Sequence, residues 1–242
     1  MTPGRLIGVG VGPGDPELLT LKAVRALAGA DVVAHFAKLG NRSNARQIVE
    51  QHLRADIEEL PLLYPVTTEA PKTETLYRDA ICRFYDESAA AIAQRLDAGR
   101  VVAVISEGDP LFYGSYMHLH VRLSERYPTE IVAGVTGMSG CWSAVGTPIT
   151  QGDDVLVVLP ATLPEEELER RFADTDAAVV MKLGRNLPKV RRALSRAGCL
   201  KRAIYVERGT TANAVAMPLT SKLDDVAPYF SMILLPGWEV RS

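Results

Sequence analysis

The chain has 242 residues, 47% hydrophobic and 23% charged, with 19 glycines, 15 prolines and a formal net charge of −2. That composition sustains a buried core and excludes a disordered chain, and at about 100–200 residues per domain it allows one large domain or two small ones. The near-neutral balance excludes a general nucleic-acid binder and leaves room only for an anion site built from local basic residues.

In chain order, residues 5–9 read as a short buried strand that breaks into a glycine-proline loop at residues 10–14. Gly8, Gly10 and Gly12 interrupt this apolar segment, unlike the unbroken stretch of a secretory leader. A helix follows, with Asp15 and Pro16 at its start and Leu18, Leu19, Leu21, Val24 and Leu27 at helical spacing. Residues 31–36 form a second strand, 43–53 a helix and 57–60 a short strand. Residues 64–72 read as a loop, and a long amphipathic helix over 75–98 is closed by Gly99. The clearest buried strand, 101–105, ends at Ser106-Glu107-Gly108-Asp109-Pro110, and a helix carrying His118 and a strand at 130–133 come next.

This alternation argues an α/β unit with a mainly parallel sheet. In the second half, strands at 155–159, 177–181, 203–207 and 232–235 alternate with helices at 165–172 and 188–197, as expected of a second α/β unit with a mixed sheet. No apolar run approaches the roughly 18 residues of a membrane span. Cys82, Cys141 and Cys199 are odd in number and widely spaced, so no disulfide framework or thiolate metal site is indicated and Cys141 reads as packing. His118 and His120 diverge on a helix, and no third ligand stands near them, so no metal site is expected. The expectation is a cytoplasmic protein without nucleic-acid or membrane partners.

Two loops at strand ends carry the candidate chemistry. Gly8-Val9-Gly10 begins a dinucleotide fingerprint, but Pro13 stands where the third glycine belongs, and the second strand ends in His35-Phe36 without a ribose-binding acid. A Rossmann dehydrogenase is disfavoured, and the phosphate-binding P-loop pattern is absent. What remains is a turn whose missing side chains let a ligand approach the backbone, or simply a tight strand-helix connection. In the second loop, Glu107 and Asp109 suit a cationic or hydroxyl group, while Asp109-Pro110 also reads as a helix cap with a first-turn proline.

Taken together, the motifs resemble the tetrapyrrole methyltransferases of cobalamin biosynthesis, which use S-adenosylmethionine (SAM). Gly8 to Asp15 followed by Leu18-Leu19-Thr20 is similar to the family's opening GxGPGDxxLLT segment, and Ser106 to Gly114 to its GDPxxYG segment. Ala133-Gly134-Val135-Thr136-Gly137 resembles the PGVTS turn with Ala133 in place of proline, Val180 to Gly184 the later strand end, and Glu207-Arg208-Gly209-Thr210 the xGT segment. Within the family, residues 62–67 (Leu-Leu-Tyr-Pro-Val-Thr), Gly108 to Tyr113 and Ser115-Tyr116 look most like members acting on precorrin-2 at ring carbon C20. The fused N-terminal domain of some siroheme enzymes is not part of this sequence.

The resemblance implies two α/β domains, expected at 1–134 and 135–242, with a SAM and tetrapyrrole cleft between them. It implies SAM contacts at Pro13, Glu107, Gly108, Asp109, Phe112, Thr136, Gly137, Leu183 and Gly209, with Leu183 offering adenine an apolar surface, and a homodimer. Because the family's substrates carry acetate and propionate groups, Lys38, Arg42, Arg46, Lys182, Arg185 and Arg208 are candidate carboxylate binders, each otherwise an ordinary surface residue. Positioning is expected to dominate the reaction, with Glu107, Asp109, Tyr113 and His118 as candidate bases.

Overall fold

Strands buried on both faces read as continuous apolar runs, and those runs define the first half of the molecule. The computed structural model describes residues 3–65 and 74–237. The chain divides into two units, Met1–Gly137 and Met138–Ser242, just past the boundary expected after residue 134. In the first unit β1 (Arg5–Gly10), α1 (Leu21–Ala28), β2 (Val32–Lys38), α2 (Asn44–Ile48), β3 (Glu58–Tyr64), α3 (Glu74–Asp97), β4 (Val101–Ser106), α4 (Tyr116–Leu123) and β5 (Thr129–Val132) follow in order. The strands pair in parallel as β3-β2-β4-β1-β5, so all their carboxyl ends lie along one edge of the sheet.

Both faces of this sheet are packed. Leu6, Val32, Ala34, Val102 and Val104 meet Ile92 and Leu96 of α3 and Tyr116, Leu119 and Leu123 of α4. Ile7, Val9, Val33, Ala103 and Ile105 meet Ala23 and Leu27 of α1 and Ala45 and Ile48 of α2 on the other face. Helix starts are fixed by side chains: Thr20 accepts the Ala23 N–H at 3.0 Å and Ser43 the Arg46 N–H at 3.3 Å.

Three elements of the first unit differ from the sequence reading. The helix expected from Asp15 and Pro16 is a single 3₁₀ turn there, Pro16–Leu18, and α1 starts only at Leu21 behind the Thr20 cap. The helix expected over 43–53 stops at Ile48 and continues as a single 3₁₀ turn, Glu50–His52, because the buried positions end at Val49 and the next residues are polar and exposed. The strand expected at 57–60 runs on to Tyr64, since pairing with β2 continues to Lys38 opposite Tyr64. Pro61 is tolerated there because β3 is an edge strand. Residues 66–73, including Val66, Thr67 and most of the expected loop, lie outside the described residues.

The second unit contains α5 (Gly137–Val145, starting at the last residue of the first), β6 (Leu156–Pro160), α6 (Glu165–Ala173), β7 (Ala177–Met181), α7 (Leu187–Arg196), β8 (Ile204–Glu207), β9 (Val215–Pro218) and β10 (Ser231–Leu235). Its sheet is mixed, in the order β6-β7-β10-β8-β9, with only β6 and β7 parallel. The helix α5 and strand β9 are additions to the sequence reading. No helix among the described residues is long and apolar enough to cross a membrane.

Candidate active site

The first unit brings three of the sequence motifs together where β1, β4 and β5 end. The loop after β1 and the loop after β4 form a short antiparallel bridge, Gly12 to Gly108, with the Gly108 N–H donating to the Gly12 carbonyl at 2.8 Å. The Val11 N–H donates to the Ser106 carbonyl at 2.9 Å. The turn after β5 closes on both. A Cβ at Gly134 would lie 2.0 Å from the Gly108 carbonyl oxygen, and one at Gly10 would lie 2.5 Å from the Gly134 nitrogen. No side chain fits at either place, so glycine here reflects contact between backbones. Gly108 itself has φ +67° and stands 3.5 Å, from its hypothetical Cβ, from the Gly137 nitrogen. Gly108, Thr136 and Gly137 therefore share one surface of backbone, with the half-buried Pro13 on the first loop.

Asp109 ties this surface together. Its Oδ1 accepts the Leu111 N–H at 2.9 Å and its Oδ2 accepts the Gly134 N–H at 3.1 Å. The carboxylate thus bridges two loops and closes a local turn; the helix cap expected of the Asp-Pro pair is not formed, since no helix starts at Pro110 and α4 begins only at Tyr116 with Ser115 at its N-cap. Beyond it Phe112 packs edge-on to Tyr113 at 4.9 Å, and Tyr113 is exposed with φ +54°, an uncommon backbone region for a bulky residue.

Glu107 has a different setting. It accepts hydrogen bonds from the Asn44 side chain and the Ala45 N–H at the start of α2, yet burial dominates and pushes its carboxyl up to about 7. Asn44 had no sequence signal beyond its place behind a helix cap. Beside Glu107, the buried Ser106 hydroxyl has no hydrogen-bond partner among the described residues. His118, the fourth candidate base, lies on α4, is exposed and stacks on Tyr85 at 4.2 Å.

The basic candidates separate. Arg46 grips Glu59 through two bonds, Nε to Oε2 at 2.8 Å and Nη2 to Oε1 at 2.9 Å. Arg42 lies 3.3 Å from Glu50, and Lys38 closes β2. In the second unit, Lys182 follows β7 with φ +59° and Arg208 follows β8 with φ +47°. These two and Arg185 are exposed.

Leu183 departs from its expected role. Its side chain is 0% exposed within the unit's own core, among residues such as Leu187, Val190 and Tyr205, so it offers adenine no surface. The left-handed turn at Lys182 and Gly184 around it directs the leucine inward. Gly209 is buried against Cys141: a Cβ there would meet the sulfur at 2.7 Å. Cys141 also hydrogen-bonds the Gly209 backbone, and burial pushes its thiol up to about 11, so it packs as an inert residue.

Residues 5–224 match the family of tetrapyrrole (corrin/porphyrin) methylases, and the chain belongs to that family. It is 63% identical over 238 residues to a precorrin-2 C(20)-methyltransferase of Sinorhizobium sp., covering 98% of this chain and 97% of that protein. It is 28% identical to the cobalt-precorrin-2 C(20)-methyltransferase of Salmonella typhimurium, with 98% of each chain covered. Among solved structures, the uroporphyrin-III C-methyltransferase of Thermus thermophilus complexed with S-adenosylhomocysteine superposes with a TM-score of 0.65 at 26% identity, covering 96% of this chain and 97% of that one.

Proposed function

We propose that the protein transfers a methyl group from SAM to C20 of precorrin-2, giving precorrin-3A and S-adenosylhomocysteine in cobalamin biosynthesis. The observation that carries this reading is the 63% identity, along nearly the whole of both chains, to an enzyme of that activity. The metal-free substrate is preferred over its cobalt form because identity to the cobalt-precorrin-2 enzyme is only 28%.

The first unit's residues suit SAM. The close contact of Gly10, Gly108 and Gly134 holds the three loops in one arrangement, and the partnerless Ser106 hydroxyl offers a polar contact beside them. We assign Pro13, Glu107, Gly108, Asp109, Phe112, Thr136 and Gly137 to holding it, and Gly209 in the second unit through its backbone. Bound SAM supplies an electrophilic methyl group. The protein's part is to hold the nucleophilic ring carbon in line and exclude water.

Of the candidate bases, Glu107 is best placed to take the proton the ring loses, because its carboxyl is held near neutrality while Asp109 is committed to backbone N–H groups. Tyr113 is assigned to the substrate side of its loop. For the substrate's carboxylates we assign Lys38, Arg42, Lys182, Arg185 and Arg208, with Arg46 reaching one only by releasing Glu59. We further infer a cytoplasmic homodimer, which light scattering on the purified protein tests.

The functional test is transfer from SAM carrying a carbon-13 methyl group to precorrin-2 and, in parallel, to its cobalt form, read by NMR of the product. Label at C20 with faster turnover of the metal-free ring is the expected outcome. Label at another carbon would leave the family and overturn the substrate position. SAM binding without transfer to either ring would point to a non-catalytic SAM-binding regulator.

A further inference from the structure

The sequence singled out Tyr64, within residues 62–67, and Ser115, just past the Asp109 loop, as separate features. The structure joins them: the Tyr64 hydroxyl and Ser115 Oγ share a hydrogen bond across 51 positions of sequence. Tyr64 ends the edge strand β3, and Ser115 lies beyond the loop that leaves β4, two strands inward. The phenol is held in place by its ring, which packs on Phe84 at 4.7 Å and stacks on Phe36 at 5.7 Å.

Ser115 occupies the N-cap position of α4 but makes no side-chain capping bond. A serine there ordinarily satisfies an N–H of the first turn, and this one turns its hydroxyl to the tyrosine instead. One residue just before it is strained, Tyr113 at φ +54°, and Gly114 between them stands where a Cβ would lie 3.3 Å from the Pro110 carbonyl oxygen. Strain of this kind persists only where the surroundings fix it. Asp109 pins the loop at its start through Leu111 and Gly134. The Tyr64–Ser115 bond pins it at its end.

We propose that Tyr64 is a positioning residue for the methyl-transfer site: through Ser115 it holds residues 110–114 in the ligand-competent turn. The inference rests on the assignment of this loop to SAM. Without the tether Tyr113 relaxes toward commoner backbone angles, the competent turn becomes one of several, and apparent affinity falls by the fraction lost. Stability is largely spared: in Tyr64→Phe the released Ser115 hydroxyl regains the chance to cap α4, and Ser115→Ala loses no capping bond because the wild type makes none.

The test is SAM binding by calorimetry, with thermal unfolding, on the wild type, Tyr64→Phe, Ser115→Ala and the double variant. Tyr64→Phe and Ser115→Ala should each raise the Kd for SAM about fivefold to tenfold. Their Tm should stay within about 2 °C of the wild type. The double variant should lose no more than either single one, and Ser115→Thr, which keeps the hydroxyl, should restore affinity. Unchanged SAM affinity in Tyr64→Phe beside a wild type that binds SAM overturns the inference alone, as does a double variant whose loss is the sum of the two. A wild type that does not bind SAM overturns the functional reading and this inference with it.

Discussion

At the scale of single residues, the site's chemistry is set by where charge is buried and where atoms are missing. Glu107 keeps its proton to about 7 because burial outweighs the hydrogen bonds from Asn44 and Ala45. Its folded-state value lies above that of the unfolded chain, so the folded state binds the extra proton between about pH 4.5 and 7 and stability falls as pH rises through that window. Above it the full penalty remains. Glu107→Gln keeps an acceptor for both donors without the charge, so it should stabilise the protein by roughly 1–3 kcal/mol at pH 8 and by nothing at pH 4, measured by urea unfolding at the two values. In the wild type, kcat should rise as pH increases through about 7, and the variant should lose that dependence along with most of its activity. The complementary case is Gly134, where a methyl group would enter the space of the Gly108 carbonyl. Since that atom is backbone, Gly134→Ala should cost about 1–3 kcal/mol of stability and weaken SAM binding more than tenfold by forcing the loops apart, which denaturation and calorimetry together would show.

At the scale of elements, the second unit shows how a motif residue can serve its own core. Leu183 sits between β7 and α7, fully buried, and Leu183→Ala should cost about 2–5 kcal/mol by opening a cavity, while SAM affinity measured well below the Tm changes less than twofold. Had the side chain lined a ligand surface, the reverse pattern would appear. The sequence could announce strands such as β4 and β7 because a strand buried on both faces must be apolar throughout. It could not announce β9, whose residues are mostly exposed and include Pro218 at a sheet edge, nor α5, whose Gly137 and Gly140 are poor helix formers. The three glycine-bearing loops were readable as motifs. Their mutual contact was not, because it depends on the parallel register that sets Gly10 beside Ser106. The same holds for Tyr64 and Ser115, and for Arg46, whose partner Glu59 lies on the neighbouring strand.

At the scale of the whole molecule, a net charge of −2 must accommodate a substrate carrying several carboxylates. Global attraction cannot draw such a ligand in, so local basic residues must act against the overall charge. The exposed Lys182, Arg185 and Arg208, proposed above as carboxylate binders, would act through solvent, where salt screens over a Debye length of about 10 Å at 0.1 M and about 3 Å at 1 M. In the assignment proposed above, SAM instead meets the loops of the first unit, held by Gly12–Gly108 pairing and by Asp109, whose short-range contacts salt scarcely touches. The two ligands should therefore separate in a salt titration. Raising ionic strength from 50 to 500 mM should increase KM for the tetrapyrrole about threefold to tenfold, leave kcat unchanged and shift the Kd for SAM less than twofold. Steady-state kinetics at saturating SAM, beside calorimetry at the same salt concentrations, measures all three. Equal salt sensitivity for both ligands would mean that the basic residues are solvated surface, and that shape and hydrogen bonding alone hold the ring.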